Sequence, residues 1–355
     1  MRSMPARLVA CVGVAALLAA CSDSGQSGSD ATGAVTPTTA DVASTTSSAP
    51  STDAPTTTVP IPDPITIDRL LALDRPIVLA HTAGEDEFPA STPFAFAESA
   101  AANVDMLDMN VLLTADDVLV VQHDDTVDRT TDGTGDVAEL TYAEIAALDN
   151  AYWFTVDCVC TDQPEAAYLY RGVRTGDRRP PSGYTPDDFV IPRFRDIAER
   201  FPSLPLNIEI KGSGEPALRA AQVLADELRA LDRLDSVVVT SFDDAVVDAF
   251  QALAPEVEVS PGLGATSKWV LERVPLPEGM RILQLPPEYS GLQVITPELV
   301  ADSAAAGYPI WVWPNDRRLE NQAAYLAFLE QGVAGLNINF PAQGVAAVDE
   351  FVSST

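Results

Sequence analysis

Histidine and lysine are nearly absent from this 355-residue chain: His81 and His123 are its two histidines, Lys211 and Lys268 its two lysines. Two histidines exclude a multi-histidine metal centre and confine imidazole chemistry to two positions. Positive charge is scarce altogether, with 21 Lys and Arg against 52 Asp and Glu and a formal net charge of −31. So acidic a chain has no basic surface with which to track a phosphate backbone, which excludes a nucleic-acid partner. The Gly-rich loops of nucleotide and dinucleotide enzymes are missing, as is the Gly-x-Ser-x-Gly elbow of α/β-hydrolases. What is present describes a globular chain rather than a disordered or polytopic membrane one: 46% hydrophobic residues and a mean hydropathy of +0.08.

The N-terminus reads as an address followed by a tether. Arg2 and Arg7 flank the start, an apolar run covers Leu8 to Ala20, and Cys21 follows. A positive n-region before a short apolar stretch is an export signal, too short for a permanent membrane span. Leu18-Ala19-Ala20-Cys21 resembles the bacterial lipobox, in which the cysteine is acylated and becomes the mature N-terminus; the alternative is an ordinary cleaved signal with a cysteine there by chance. The lipobox reading predicts an exported lipoprotein on the outer face of the bacterial cell membrane, anchored through Cys21. Residues 22–64 are Ser, Thr, Ala, Pro, Gly and Asp with almost nothing large and apolar, the composition of a disordered spacer. Of the four cysteines, Cys11 leaves with the signal. Cys158 and Cys160 remain, as a local disulfide staple or two free thiols.

Residues 65–355 are long enough for one large domain. Short apolar runs recur at Ile77–Ala80, Met106–Leu113, Leu119–Gln122, Leu206–Ile210, Val237–Thr240, Val257–Pro261, Ile282–Leu285, Ile310–Trp313 and Leu336–Phe340. Between most of them lie helical patterns, at Phe94–Asn103, Phe194–Phe201, Pro216–Leu231, Ala245–Leu253, Pro297–Ala306 and Asn321–Gln331. Near-continuous apolar strands alternating with amphipathic helices predict a parallel sheet, and about eight such units predict a (β/α)₈ TIM barrel.

In such a barrel, chemistry gathers where strands end. His81 ends the first apolar run, and His123-Asp124 follow the third. Asp108 and Asn110 alternate on one strand, and Glu209 and Lys211 on another, so each pair shares a face. Each residue alone has a structural reading: a satisfied core histidine, a turn-capping Asp, an interior Glu–Lys pair. Both histidines ending apolar strands, with inward carboxylates on neighbouring strands, predict a site.

The order and spacing of these residues resemble the glycerophosphodiester phosphodiesterase family of (β/α)₈ barrels. The resemblance rests on His81-Thr82, Pro89-Ala90-Ser91-Thr92, Asp108-Met109-Asn110, Thr114-Ala115-Asp116-Asp117 and His123-Asp124. It continues through Asp128-Arg129-Thr130-Thr131-Asp132-Gly133-Thr134-Gly135, Ile208-Glu209-Ile210-Lys211 and Ser241-Phe242. It covers about residues 76–345. The likeness implies metal-dependent hydrolysis of a small-molecule phosphodiester to glycerol 3-phosphate and an alcohol. It further implies His81 and His123 as acid and base, with Lys211 near a phosphoryl oxygen. Asp108, Asn110 and Glu209 would then be ligands of Ca²⁺ or Mg²⁺.

The departures are equally specific. Thr82 replaces the arginine after the first histidine, Ala90 a glutamate, and Asp108-x-Asn110 a Glu-x-Asp metal pair. The loss of one ligand charge predicts weakened cation binding. An insertion at about 155–190 carries Arg171, Arg174, Arg178 and Arg179; the expectation is either that one replaces the missing phosphate contact or that they pair with local acids. A barrel that has lost turnover and binds a ligand at the cell surface is the alternative function.

Overall fold

The computed structural model describes residues 65–354. The signal, lipobox Cys21 and linker expected at 1–64 lie outside the described residues. Eight parallel strands succeed one another: β1 (Ile77–Ala80), β2 (Met106–Leu113), β3 (Leu206–Ile210), β4 (Val237–Thr240), β5 (Glu258–Val259), β6 (Leu283–Leu285), β7 (Ile310–Val312) and β8 (Gly335–Ile338). They pair in the order β5-β4-β3-β2-β1-β8-β7-β6. Chain neighbours are therefore sheet neighbours, and the last strand lies beside the first, the circular order of a TIM barrel. Between β5 and β6 the link is a side-chain bond, Ser260 Oγ donating to the Ile282 carbonyl at 2.9 Å.

Among the described residues, the helices longer than one turn are α1 (Ile67–Leu71), α2 (Pro93–Ala101), α3 (Phe194–Arg200), α4 (Gly214–Ala230), α5 (Asp244–Leu253), α6 (Leu263–Glu272), α7 (Pro297–Ala306), α8 (Gln322–Glu330) and α9 (Pro341–Ser354). Thr92 and Thr296 each accept a first-turn amide and are followed by Pro at the first helical position, so α2 and α7 start where the chain spells Thr-Pro. Helices α1, α6 and α9 lie outside the helical patterns legible in the sequence. In α9, glycine at 344 lets the helix lie flat on β8: an added Cβ would stand 2.1 Å from Ile338 Cδ1.

One apolar run is corrected. Leu119–Val121 is not a barrel strand; it folds back antiparallel onto β2, pairing Leu113 with Leu119. Only Thr114 to Val118 connect them, too few residues for a crossover. Thr114 accepts from the Val118 amide, and Asp117 takes φ 62° to complete the turn.

Alternation along the strands builds two cores. Leu107, Met109 and Val111 of β2 point outward into the large core shared with the helices, as do Leu206, Ile208 and Ile210 of β3. Ile77, Leu79, Met106, Val238, Ile282 and Trp311 point inward, where Ile67 and Leu70 of α1 close the N-terminal end of the barrel. The insertion packs on α2 through Phe94, Tyr170, Tyr184 and Phe189. Cys158 and Cys160 are joined in a disulfide, the staple rather than the free thiols.

Candidate active site

Inside the barrel the lining changes from apolar to polar along its axis. Above the apolar end sits a layer of amides around one carboxylate. Asn207 Nδ2 donates to Asp108 Oδ1 at 2.6 Å and to Gln284 Oε1 at 3.0 Å, and Asn337 Nδ2 reaches Asp108 Oδ1 at 3.1 Å. This layer ties β2, β3, β6 and β8 together across the interior. Higher still, Asn110 lies opposite Glu209 in the β2–β3 register, and the histidines stand at the mouth.

The two imidazoles meet edge to face with centroids 6.1 Å apart. Each is held by its Nδ1. His81 Nδ1 lies 2.7 Å from Asn339 Oδ1, and His123 Nδ1 lies 2.7 Å from Asp124 Oδ1. An oxygen acceptor at Nδ1 pairs with the Nδ1–H tautomer, the form that leaves Nε2 for proton transfer. Arg129 Nε donates to the other oxygen of Asp124 at 2.6 Å. Burial would raise the Asp124 carboxyl, but its bonds to His123 and Arg129 overcome it and hold the group well below the usual carboxylate range. Burial would lower His81, yet the charges of Glu85 and Asp108, the Asn339 bond and Glu320 together raise it.

The turn after β1 makes this possible. Thr82, Ala83 and Gly84 take φ of 45°, 65° and 83°, three successive left-handed residues. Thr82 is a β-branched residue in that region, held there at a cost of order 1–3 kcal/mol. At Gly84 a Cβ would come within 2.6 Å of Pro341 Cγ, so the turn is pressed against the start of α9. It delivers Glu85 and Asp86 beside His81. Glu85 lies 3.9 Å from His81 Nδ1 and 3.5 Å from Arg129. Burial opposes its ionisation, but His81, Arg129, His123 and Arg317 lower its pKa below the ordinary value.

Lys211 Nζ stands 3.5 Å from Glu209 Oε1, and both side chains are 18% exposed. Burial raises the Glu209 carboxyl against the pull of Lys211 and the histidines. Among the described residues no three His, Cys, Asp or Glu converge as a metal cluster. The set Asp108, Asn110 and Glu209 is nonetheless all-oxygen, which suits a hard cation. Asn110 Nδ2 is buried without a partner, so this amide lacks a protein neighbour that would forbid it from turning its oxygen to an ion. The donor set is of the kind Ca²⁺ or Mg²⁺ takes, with one charge fewer than three carboxylates would give, and Asp108 already accepts from Asn207 and Asn337 at Oδ1 and from the Thr82 amide at Oδ2.

Three of the four arginines of the insertion have their partners elsewhere. Arg171 donates to the Tyr152 carbonyl and Glu165, boxed by the rings of Tyr152, Trp153 and Tyr168 at 4.3, 4.7 and 3.5 Å. Arg174 holds the Ala146 carbonyl and Asp187, and Arg178 the Leu169 carbonyl. The expectation that one of them replaces the missing phosphate contact is overturned for these three: they fasten the insertion to itself and to the loop before it. The arginines at the mouth are Arg129 and Arg317. The sequence carried a signal for Arg129, in the Asp-Arg-Thr-Thr stretch, but none for Arg317, Asp86, Glu320 or Asn339.

Comparison with known proteins supplies the family and the fold. The sequence model of the glycerophosphoryl diester phosphodiesterase family matches residues 81–343. A glycerophosphodiester phosphodiesterase of Caldanaerobacter subterraneus is 26% identical over 271 residues, covering 75% of this chain and 95% of that protein. Bovine glycerophosphodiester phosphodiesterase 1 is 36% identical over 92 residues, which cover 26% of this chain and 28% of that one. Among solved structures, a phosphodiesterase of Oleispira antarctica in complex with the product sn-glycerol-3-phosphate has TM-score 0.58 and 19% identity, covering 78% and 97% of the two chains. A glycerophosphodiester phosphodiesterase of Agrobacterium tumefaciens gives TM-score 0.56 and 22% identity, covering 76% and 99%. At those identities the structures speak to the fold.

Proposed function

The chain belongs to the glycerophosphoryl diester phosphodiesterase family, and from that premise we propose that it hydrolyses glycerophosphodiesters to glycerol 3-phosphate and an alcohol, using His81 and His123 as its acid–base pair. It is a phosphoric diester hydrolase by family. The observation that carries the mechanism is the facing of two imidazoles 6.1 Å apart, each tied at Nδ1. His123, backed by the Asp124 carboxylate, takes the proton of the attacking hydroxyl, either a glycerol hydroxyl or water. The new P–O bond forms as the ester bond to the departing alcohol breaks. His81, held toward its protonated form by Glu85 and Asp108, gives its Nε2 proton to the leaving oxygen. If the glycerol hydroxyl attacks, the resulting cyclic phosphate opens with water as the two histidines exchange roles.

Lys211 supplies a point charge to a phosphoryl oxygen. A divalent cation held by Asp108, Asn110 and Glu209 would neutralise charge on the phosphoryl group. The acidity of the chain makes these local cations important, because its net charge of −31 opposes an anionic substrate until salt screens it. The same proposal places the protein outside the cell, anchored to the membrane through acylated Cys21, on the support of the lipobox-like residues 18–21. Loss of fatty-acid labelling in Cys21→Ala would bear that out; unchanged labelling would refute it. The neutral amide at 110 favours a second reading, a barrel that binds a diester without turning it over. Assays on glycerophosphodiesters and bis(p-nitrophenyl) phosphate, with and without chelator, separate the two. Turnover lost in both His81→Ala and His123→Ala supports hydrolysis, and no turnover with any divalent ion supports binding alone.

A further inference from the structure

Deepening the catalytic reading of His81, we infer that Asn339 is a positioning residue that fixes the tautomer of His81, and that Asp86 and Arg317 in turn fix the orientation of Asn339. An Asn side chain can present either its oxygen or its NH₂ to a histidine. Here the surroundings decide. Asn339 Nδ2 lies 2.9 Å from Asp86 Oδ2 and 3.4 Å from Glu85 Oε1. Both partners are acceptors when ionised, so the NH₂ must face them and Oδ1 must face His81, 2.7 Å from its Nδ1. That oxygen only accepts, so the Nδ1 of His81 must carry a proton and Nε2 is left as the atom that titrates toward the mouth.

The carboxylate that sets this polarity is 1% exposed. A buried Asp needs a counter-charge, and Arg317, from the loop after β7, pairs with Asp86 through Nη2, with Nε 3.2 Å from Oδ2. Asn339 is also held by its backbone, its amide donating to Glu320 Oε2 at 3.0 Å. The relay therefore runs Arg317–Asp86–Asn339–His81 and joins the ends of β7, β1 and β8. Four groups bear on the His81 ring and its amide partner: Glu85 and Asp86 from the turn after β1, Asp108 from β2 and Glu320 from the loop before α8. Of these, Asp86 and Glu85 take the side-chain NH₂ of Asn339, at 2.9 and 3.4 Å, and Glu320 takes its backbone N–H.

The scarcity of histidine makes a direct test available. An imidazole ¹⁵N–¹H spectrum of the uniformly labelled full chain contains two rings, assigned by the loss of one in His123→Asn. The expected result is that neutral His81 is the Nδ1–H tautomer. In Asp86→Asn the polarity is no longer imposed: the Nε2–H form gains population and kcat falls by about tenfold with KM little changed. Exchanging the two groups, Asp86→Asn with Asn339→Asp, restores an acceptor to His81 and a donor behind it, and returns the Nδ1–H tautomer with partial recovery of kcat. An Nε2–H tautomer in the unmutated protein overturns the inference even if no variant folds, as does an unchanged spectrum in Asp86→Asn. Absence of diester hydrolysis alongside the Nδ1–H tautomer would instead count against the catalytic reading and leave the positioning intact.

Discussion

Asp124→Asn separates charge from geometry at the proposed base. Asparagine keeps an oxygen to accept from His123 Nδ1 but removes the negative charge that stabilises the imidazolium formed when the nucleophile is deprotonated. The bond it weakens is 2.7 Å long, and Arg129 keeps the carboxylate ionised from its other side at 2.6 Å. A hydrogen bond to a charged group contributes about 1.5–3 kcal/mol. The His123 side chain is 36% exposed and that of Asp124 25%, so solvent screening places the value near the lower end, about 1.5 kcal/mol. That converts to a loss of about tenfold in kcat. KM should change little, because the interaction strengthens in the transition state rather than on binding. Arg129 retains Glu85 at 3.5 Å, so the local fold survives. The assay is steady-state hydrolysis of bis(p-nitrophenyl) phosphate, with the melting temperature as a control. An unchanged kcat, or a change confined to KM, would refute the assignment of His123–Asp124 as the base.

Three further outcomes follow from the same geometry. Asn110→Asp restores a ligand charge and should tighten Ca²⁺ or Mg²⁺ binding by about tenfold in calorimetry; unchanged affinity would mean that Asn110 is not a ligand. Arg171→Ala removes two hydrogen bonds and a three-ring cation–π box. It should cost about 2 kcal/mol in denaturant melts while leaving kcat unaltered, since the side chain lies away from the histidines. His81 has a folded pKa raised above its unfolded value. Its protonated form therefore stabilises the fold below about pH 6.5, and that contribution is lost as pH rises through the folded value. In metal-free protein, the stability difference between the parent and His81→Gln should shrink as pH rises above the unfolded value of about 6.5; a difference that grows with pH would contradict the raised pKa.

Much of the barrel was legible because its strands bury both faces. Leu206 to Ile210 reads as a near-continuous apolar run with Asn207 and Glu209 as its only polar interruptions, and those two turn out to be the inward positions. The histidines were legible because each ends such a run. Leu119–Gln122 misled for the same reason: an apolar strand does not state its direction, and the five-residue connection was the signal to heed. The polar layer of Asn207, Gln284 and Asn337 around Asp108, and the relay from Arg317 through Asp86 and Asn339, were not legible. Their members sit on different strands and on the loops that follow them, up to 258 residues from their partners, so closure of the barrel brings them together. The arginine cluster of the insertion was visible as composition, but its aromatic box and carbonyl partners exist only once the segment has folded on itself.

The central claim is that two histidines at the barrel mouth hydrolyse a glycerophosphodiester. It is tested most directly by measuring glycerol 3-phosphate release from glycerophosphocholine by the purified protein with Ca²⁺ or Mg²⁺, beside His81→Ala and His123→Ala. The account predicts release by the parent and its loss in both variants, with each variant folded by circular dichroism. Release that persists in either variant, or a parent that yields none with any divalent ion, would contradict it.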